Sequence, residues 1–266
     1  MNIQVTNTVD NCPPPQNFTW SDDYILHGKV PCIDLDFTTG CECETDCADS
    51  CNDCICIAAQ EGEHAYDQNE CVRFAPTTMA IYECNLKCAC NILCQNRVTQ
   101  RGPRLTFEIY RTPNGKGWGV RTLNALKKGQ FVSKYIGEII TTAEAVNRNS
   151  RMSYMFDLDF FGYESSKYVI DAYDHGNISR LYNHSCEPNM ATYSVFVDTH
   201  DPSRHELAFF TTRAIEPNEE LTFDYRGFRS KSQKKDVGAG KDRPGFQCYC
   251  GTKSCQGIIP LFHTDK

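Results

Sequence analysis

The sequence contains no run of about 18 apolar residues, so no helical membrane span is written in it. Cations are in deficit: 27 Lys and Arg stand against 34 Asp and Glu, a formal net charge of −7. That balance speaks against the positive groove needed for strong direct DNA binding and favours a basic partner. Met1 to Asp10 lacks the basic and apolar regions of a secretory leader, and the expectation is a soluble, intracellular protein. No repeat of solenoid period recurs. Helix signals are scarce: Thr142 with Glu144 and Ala145 opens one short helix, and Asn177 to Tyr182 makes a turn or two.

What the chain has in excess is cysteine. Seventeen would suit a small secreted disulfide scaffold, but 266 residues without an export signal point instead to thiolates and metal. Eleven fall between Cys41 and Cys94, Cys186 stands alone in the middle, and Cys248, Cys250 and Cys255 close the chain. The first block reads Cys41-x-Cys43-x3-Cys47, Cys54-x-Cys56 and Cys84-x3-Cys88-x-Cys90-x3-Cys94. Such spacings let neighbouring sulfurs converge on tetrahedral zinc, with Zn–S at about 2.3 Å. Nine sulfurs satisfy three zinc ions only if three of them bridge. Cys51 could take the place of Cys47, which is preferred; Cys12, Cys32, Cys51 and Cys71 are expected to be non-ligands.

The C-terminal trio needs a fourth ligand, and Cys186 is the one cysteine of the central region able to supply it. A catalytic zinc with an open water position is the competing reading, against which no His-Glu-x-x-His or comparable arrangement is present. Thirteen thiolates with four zinc ions would bring the net charge to about −12.

Five segments follow. Residues 1–40, with Pro13-Pro14-Pro15 and scattered aromatics, read as an extended wrap; 41–100 is the metal block, where zinc replaces a conventional core; 101–226 is a β-rich domain; 227–247 is a basic flexible linker; 248–266 is a zinc cap. In the central domain, strands are expected at Leu105 to Tyr110, Gly119 to Thr122, Phe131 to Ile140, Tyr168 to Asp171, Thr192 to Val197, Glu206 to Thr211 and Leu221 to Phe223.

Within that domain Gly117-Trp118-Gly119-Val120, Tyr135-Ile136-Gly137-Glu138, Asn183-His184-Ser185-Cys186 and Leu221-Thr222-Phe223-Asp224-Tyr225 occur in this order. Together they resemble the SET-domain lysine methyltransferases, and the cysteine blocks resemble the pre-SET and post-SET modules of the Su(var)3-9 and Clr4 subgroup, which methylates lysine 9 of histone H3. The resemblance runs from about Thr8 to Phe262. Two departures are conservative: Met155 stands where the family usually has Leu, and Leu181 where it has an aromatic residue.

The resemblance implies an α+β, β-rich SET fold of short curled sheets, with a three-zinc N-terminal cluster and a one-zinc C-terminal cap. It implies S-adenosylmethionine as methyl donor and the histone H3 N-terminal tail as substrate, in the nucleus and on chromatin. Cofactor residues carried over are Lys116, Gly117, Trp118, Tyr154, Arg180, Asn183, His184 and Tyr225; Arg180 could instead pair with a carboxylate. Tyr154, Phe156 and Phe223 match the walls of the lysine channel, with Tyr225 and Tyr135 as its catalytic and orienting hydroxyls. Phe223, lacking a hydroxyl, leaves room for di- and trimethylation. Asp157 and Asp159 are candidates to read an arginine beside the target lysine, a solvated acidic face being the alternative. Lys231, Lys234 and Lys235 are candidate self-substrates, against a solvating or import role. Rival readings are a lysine methyltransferase for a non-histone protein and an inactive SET-like chromatin scaffold.

Overall fold

The computed structural model describes residues 2–47, 54–76, 79–148, 153–160, 166–227 and 245–260. Cys51 and the linker lysines Lys231, Lys234 and Lys235 lie outside the described residues.

Short strands assemble into small sheets. The first places Asn2–Thr6 parallel to Thr106–Arg111, which pairs antiparallel with Trp118–Thr122. A second has the order Ile25–Leu26, Glu138–Thr141, Tyr168–Asp171 and Met155–Asp157, the last at an edge. A third has the order Ile81–Tyr82, Met190–Phe196, Glu206–Thr211 and Phe131–Lys134. Along Glu206–Thr211 the period-2 alternation of a strand sends Phe209 into one apolar cluster and Phe210 into another, so one strand joins both cores.

Residues before Cys41 add strands to sheets of the central region rather than forming a core of their own. Asn2–Thr6 extends the first sheet, Thr19–Trp20 pairs with His175–Gly176, and Ile25–Leu26 extends the second sheet. Among the described residues, helix is confined to Ile55–Ala59 and Thr142–Asn147 plus short 3-10 turns, including Ile178–Leu181. Thr141 caps the second helix by accepting the Glu144 N–H at 3.2 Å.

One expected strand divides. Instead of running from Phe131 to Ile140, the chain forms Phe131–Lys134 in the third sheet and Glu138–Thr141 in the second. The switch falls at Tyr135-Ile136-Gly137, where the backbones cross so closely that a Cβ on Gly137 would lie 2.5 Å from the Asp171 carbonyl. The transfer leaves Tyr135 between the two sheets.

Candidate active site and metal centres

Two motifs distant in sequence become neighbours through a two-residue parallel pairing, Asn183 opposite Thr222 and His184 opposite Phe223. The Trp118 strand joins them: Leu221 N–H donates to the Val120 carbonyl at 2.8 Å, and Asn183 Nδ2 donates to the Trp118 carbonyl at 3.1 Å. Gly117 has φ 89°, a conformation that favours glycine. Gly119 has a different need, because a Cβ there would come within 2.8 Å of Asn183 Nδ2 and 2.9 Å of Glu220 Oε1. Lys116 meets the same glutamate, its Nζ 2.8 Å from Oε2.

His184 is buried, and burial first of all lowers its pKa to about 4, so the ring is neutral near pH 7. Its Nδ1 accepts the Tyr225 N–H at 3.1 Å, and its Nε2 lies 3.4 Å from Cys186 Sγ. One imidazole thereby ties the Tyr225 backbone to the C-terminal cysteine site.

The expected channel residues gather on one side of this junction. Tyr135 and Phe223 are buried in the core; Tyr154, Phe156 and Tyr225 are half-buried against it. Ring centroids are 5.7 Å apart for Tyr135 and Phe156, and 4.8 Å for Phe223 and Tyr225. Both expected hydroxyls are oriented by main-chain carbonyls: Tyr225 donates to Tyr182 at 2.8 Å and Tyr135 to Tyr154 at 2.7 Å. Burial raises both phenol pKa values, so each hydroxyl keeps its proton and remains a donor.

Among the described residues Arg180 has no carboxylate partner of the kind considered from sequence. It donates to the Ala172 and Tyr173 carbonyls at 2.9 and 3.1 Å, and its guanidinium lies 4.2 Å from the Phe18 ring centroid and 4.3 Å from that of Tyr154. It packs the N-terminal segment against the half-buried Tyr154. Asp157 ends the edge strand Met155–Asp157, with its pKa raised first by desolvation and then by the adjacent charge of Asp159. Sequence reasoning missed Glu220, Tyr182 and Phe18; only Glu220 carried a signal, as an ionisable residue directly before the Leu221–Tyr225 motif.

The nine cysteines expected in the first metal block form one cluster, each at most 9% exposed. Sulfur sets Cys41, Cys56, Cys84, Cys88; Cys41, Cys43, Cys47, Cys54; and Cys41, Cys47, Cys84, Cys90 each lie within 4.8 Å. Cys94 adjoins them, accepting the Cys47 N–H at 3.4 Å. Tetrahedral zinc puts thiolate sulfurs about 3.8 Å apart; Cys41 to Cys47 is 3.7 Å and Cys56 to Cys88 is 3.5 Å. Packed this closely, the thiols perturb one another: contacts with Cys47, then with Cys56 and Cys88, push the Cys84 pKa up, while Cys56 and then Cys84 hold that of Cys88 down. The donor chemistry and spacing therefore fit bound metal.

Arg97 stands against this cluster at 5% exposure, facing the Cys90, Cys84 and Cys88 thiols and donating to the Asn85 carbonyl at 2.7 Å. Among the described residues it has no carboxylate partner. Cys186, Cys248, Cys250 and Cys255 form the second sulfur set, also within 4.8 Å. Cys12 and Cys32 are exposed and Cys71 is buried, all outside these sets.

The SET domain family matches residues 117–226 and the Pre-SET motif family residues 1–97. Mouse SUV39H2 is 40% identical over 97% of this chain and 54% of its own length; human SUV39H2 is 40% identical over 97% and 62%. The chain thus spans little more than half the length of these curated relatives. Among solved structures, the Neurospora histone lysine methyltransferase DIM-5 has 33% identity and a TM-score of 0.78, covering 87% of this chain and 97% of that one. KRYPTONITE, solved with mCHH DNA, an H3(1-15) peptide and SAH, has 29% identity and a TM-score of 0.78, covering 96% of this chain and 50% of that one.

Proposed function

This chain belongs to the SET-domain family of the Su(var)3-9 type, and from that premise we propose that it is an S-adenosylmethionine-dependent lysine methyltransferase acting on lysine 9 of histone H3. Convergence carries the reading: the Lys116–Gly119 segment, Asn183-His184 and five aromatic residues pack around one junction supported by the Asn183–His184 and Thr222–Phe223 pairing. A nuclear, heterochromatic setting and a role in gene silencing follow from that substrate.

S-adenosylmethionine supplies an electrophilic methyl group when bound. Lys116, Gly117, Trp118, Tyr154, Arg180, Asn183, His184 and Tyr225 would hold it, and an opening for its amine exists: Asn183 spends Nδ2 on the Trp118 carbonyl and Glu220, leaving Oδ1 without a described partner. The aromatic walls disfavour a charged lysine and lower its pKa from the usual value of about 10.4. Tyr225 and Tyr135, protonated and held by carbonyls, orient the amine rather than deprotonate it, so its proton leaves to water.

The strand Met155–Asp157, at a sheet edge among the described residues, would let a histone tail add as another strand, with Asp157 and Asp159 beside it for a basic side chain. Phe223 offers no hydroxyl to a methylated amine and leaves room for repeated transfer. Zinc would suit both cysteine sets: Cys186, Cys248, Cys250 and Cys255 would hold one ion, and Cys41, Cys43, Cys47, Cys54, Cys56, Cys84, Cys88, Cys90 and Cys94 would together hold three.

Labelled S-adenosylmethionine with H3 peptides, native and with lysine 9 replaced, tests the assignment. Label should enter only the native peptide, as di- and trimethyl lysine by mass spectrometry, and Tyr225→Phe should lose most of the rate. Equal labelling of both peptides would redirect the substrate assignment, and no labelling of any protein would leave a scaffold.

A further inference from the structure

Glu220 is absent from the cofactor set above, yet its carboxylate holds two members of that set, Lys116 and Asn183. Its backbone is fixed from two sides: it bridges Arg121 across an antiparallel pair, and its carbonyl accepts Asn189 Nδ2 at 2.8 Å. The next residue donates its N–H to Val120 at 2.8 Å. The carboxylate is aimed inward, only 18% exposed. There Oε2 takes Lys116 Nζ at 2.8 Å and Oε1 takes Asn183 Nδ2 at 2.9 Å. The Tyr110 phenol faces the same group, its pKa raised by burial and then by the Glu220 charge. Gly119 leaves out the Cβ that would fill the space occupied by Glu220 Oε1 and Asn183 Nδ2.

A primary amide has two ends of opposite character, a donor pair and an acceptor, and can rotate to exchange them. In Asn183 the donor pair is fully occupied, by the Trp118 carbonyl at 3.1 Å and by Glu220. The carbonyl of Trp118 can only accept, and so can an ionised carboxylate. Rotating the amide would set its oxygen against both. Glu220 and the Trp118 carbonyl together therefore fix which end of the Asn183 amide is left without a described partner.

We propose that Glu220 is a positioning residue that locks the Asn183 amide with its oxygen toward the cofactor site, making that site selective for a ligand carrying a protonated α-amine. The inference rests on the methyltransferase reading and names the group that gives the site its preference for an amino-acid-bearing nucleoside. Lys116 holds the second carboxylate oxygen and so fixes the rotamer that delivers the first.

The test compares two ligands on each protein by calorimetry: S-adenosylhomocysteine and its deamino analogue, which lacks only the α-amine. The wild-type chain should prefer the amine-bearing ligand, and Glu220→Met should reduce that preference by roughly tenfold, the usual scale for losing one charge-assisted contact in a site. A general loosening would weaken both ligands alike and leave their ratio unmoved. Glu220→Gln preserves the shape and, if the Met variant does not fold, gives the same readout; a neutral partner should reduce the ratio partway. An unchanged ratio in a folded variant, or a wild-type chain indifferent to the amine, overturns the role of Glu220 while leaving the cofactor reading intact. A wild-type chain that binds neither ligand overturns both.

Discussion

The two cysteine assemblies use the same ligand chemistry in opposite ways. The nine-sulfur cluster draws its ligands from residues 41–94 and buries every sulfur-bearing residue to 9% exposure or less. Its sulfurs also accept backbone N–H groups, from Cys41 and Asn85 to Cys88 Sγ at 3.3 Å and from Cys47 to Cys94 Sγ. The four-sulfur site takes Cys186 from the central domain and the other three from a C-terminal segment; Cys250 is half-buried and Cys255 exposed. Cys186 is also the neighbour of His184 Nε2. The first assembly acts as a local core, bracing the strand Ile81–Tyr82 that pairs with Val195 and Phe196. The second fastens a tail against the Asn183-His184 motif. On the proposed reading, the same metal chemistry would serve stability in one place and site completion in the other.

The largest expected effect separates those two roles. Cys84 belongs to two of the three sulfur sets, so Cys84→Ala removes a ligand from two sites at once. Structural zinc contributes about 10–16 kcal/mol of apparent binding energy in small folded units, comparable with the whole stability of a domain at about 5–15 kcal/mol. No folded Cys84→Ala protein should be recovered, by circular dichroism and thermal melting. Cys255→Ser removes an exposed ligand from the other site. That protein should melt cooperatively within a few degrees of the parent, retain about three of four zinc ions, and lose methyl transfer. If both variants unfold together, or Cys84→Ala keeps its zinc, the division between brace and fastening is wrong.

Why the two assemblies differ in legibility is a matter of range. Cys-x-Cys and Cys-x3-Cys spacings are local, and they pointed to the nine cysteines that pack into one cluster because sulfurs so close in sequence have few other ways to converge. Which sulfurs are shared, Cys41, Cys47 and Cys84, depends on three loops meeting and is not written in the spacing. The aromatic and Asn-His residues were found by the order of their motifs, and their convergence needs a pairing of only two residues, Asn183–His184 with Thr222–Phe223, too short to leave a pattern. The strand expected from Phe131 to Ile140 had continuous β-forming character; its division at Gly137 comes from a crossing with Asp171, some 34 residues away in sequence and invisible to local propensity. Arg180 finds Phe18 through the N-terminal segment, and Glu220 finds three partners from separate strands and turns.

Arg97 sharpens the comparison with a smaller effect. A buried cation without a carboxylate partner is costly, and on the proposed reading nine thiolates with three zinc ions would carry about three net negative charges able to compensate it. Substituting Arg97→Met keeps the buried bulk and removes that compensation. Outer-shell partners of metal ligands typically carry 10–100-fold in affinity, and zinc release from the larger cluster to a chromophoric chelator should accelerate on about that scale. The single zinc at Cys186, Cys248, Cys250 and Cys255 should leave at the parent rate. Uniform acceleration of all zinc would mean that Arg97 supports the fold in general and has no particular relation to the cluster.

The smallest effect belongs to the fastening. Ser254 lies between the ligands Cys250 and Cys255, and its Oγ and N–H both donate to Glu187 Oε1, at 2.7 and 3.2 Å. Glu187 follows Cys186 directly, so this pair ties the tail to the central domain beside the metal ligands without being one of them. Both groups are exposed, and an exposed hydrogen bond contributes only about 0.5–1 kcal/mol, a factor of about two to five in an equilibrium. Ser254→Ala removes the side-chain half of the contact and leaves the N–H in place. Release of the C-terminal zinc should quicken by no more than that factor, with the nine-sulfur cluster unaffected and the melting temperature unchanged. The size matters as much as the direction. If the tail were held mainly by its own packing, Ser254→Ala would have no effect on zinc release, whereas a loss far above fivefold would show that the metal contributes less to the fastening than this one hydroxyl.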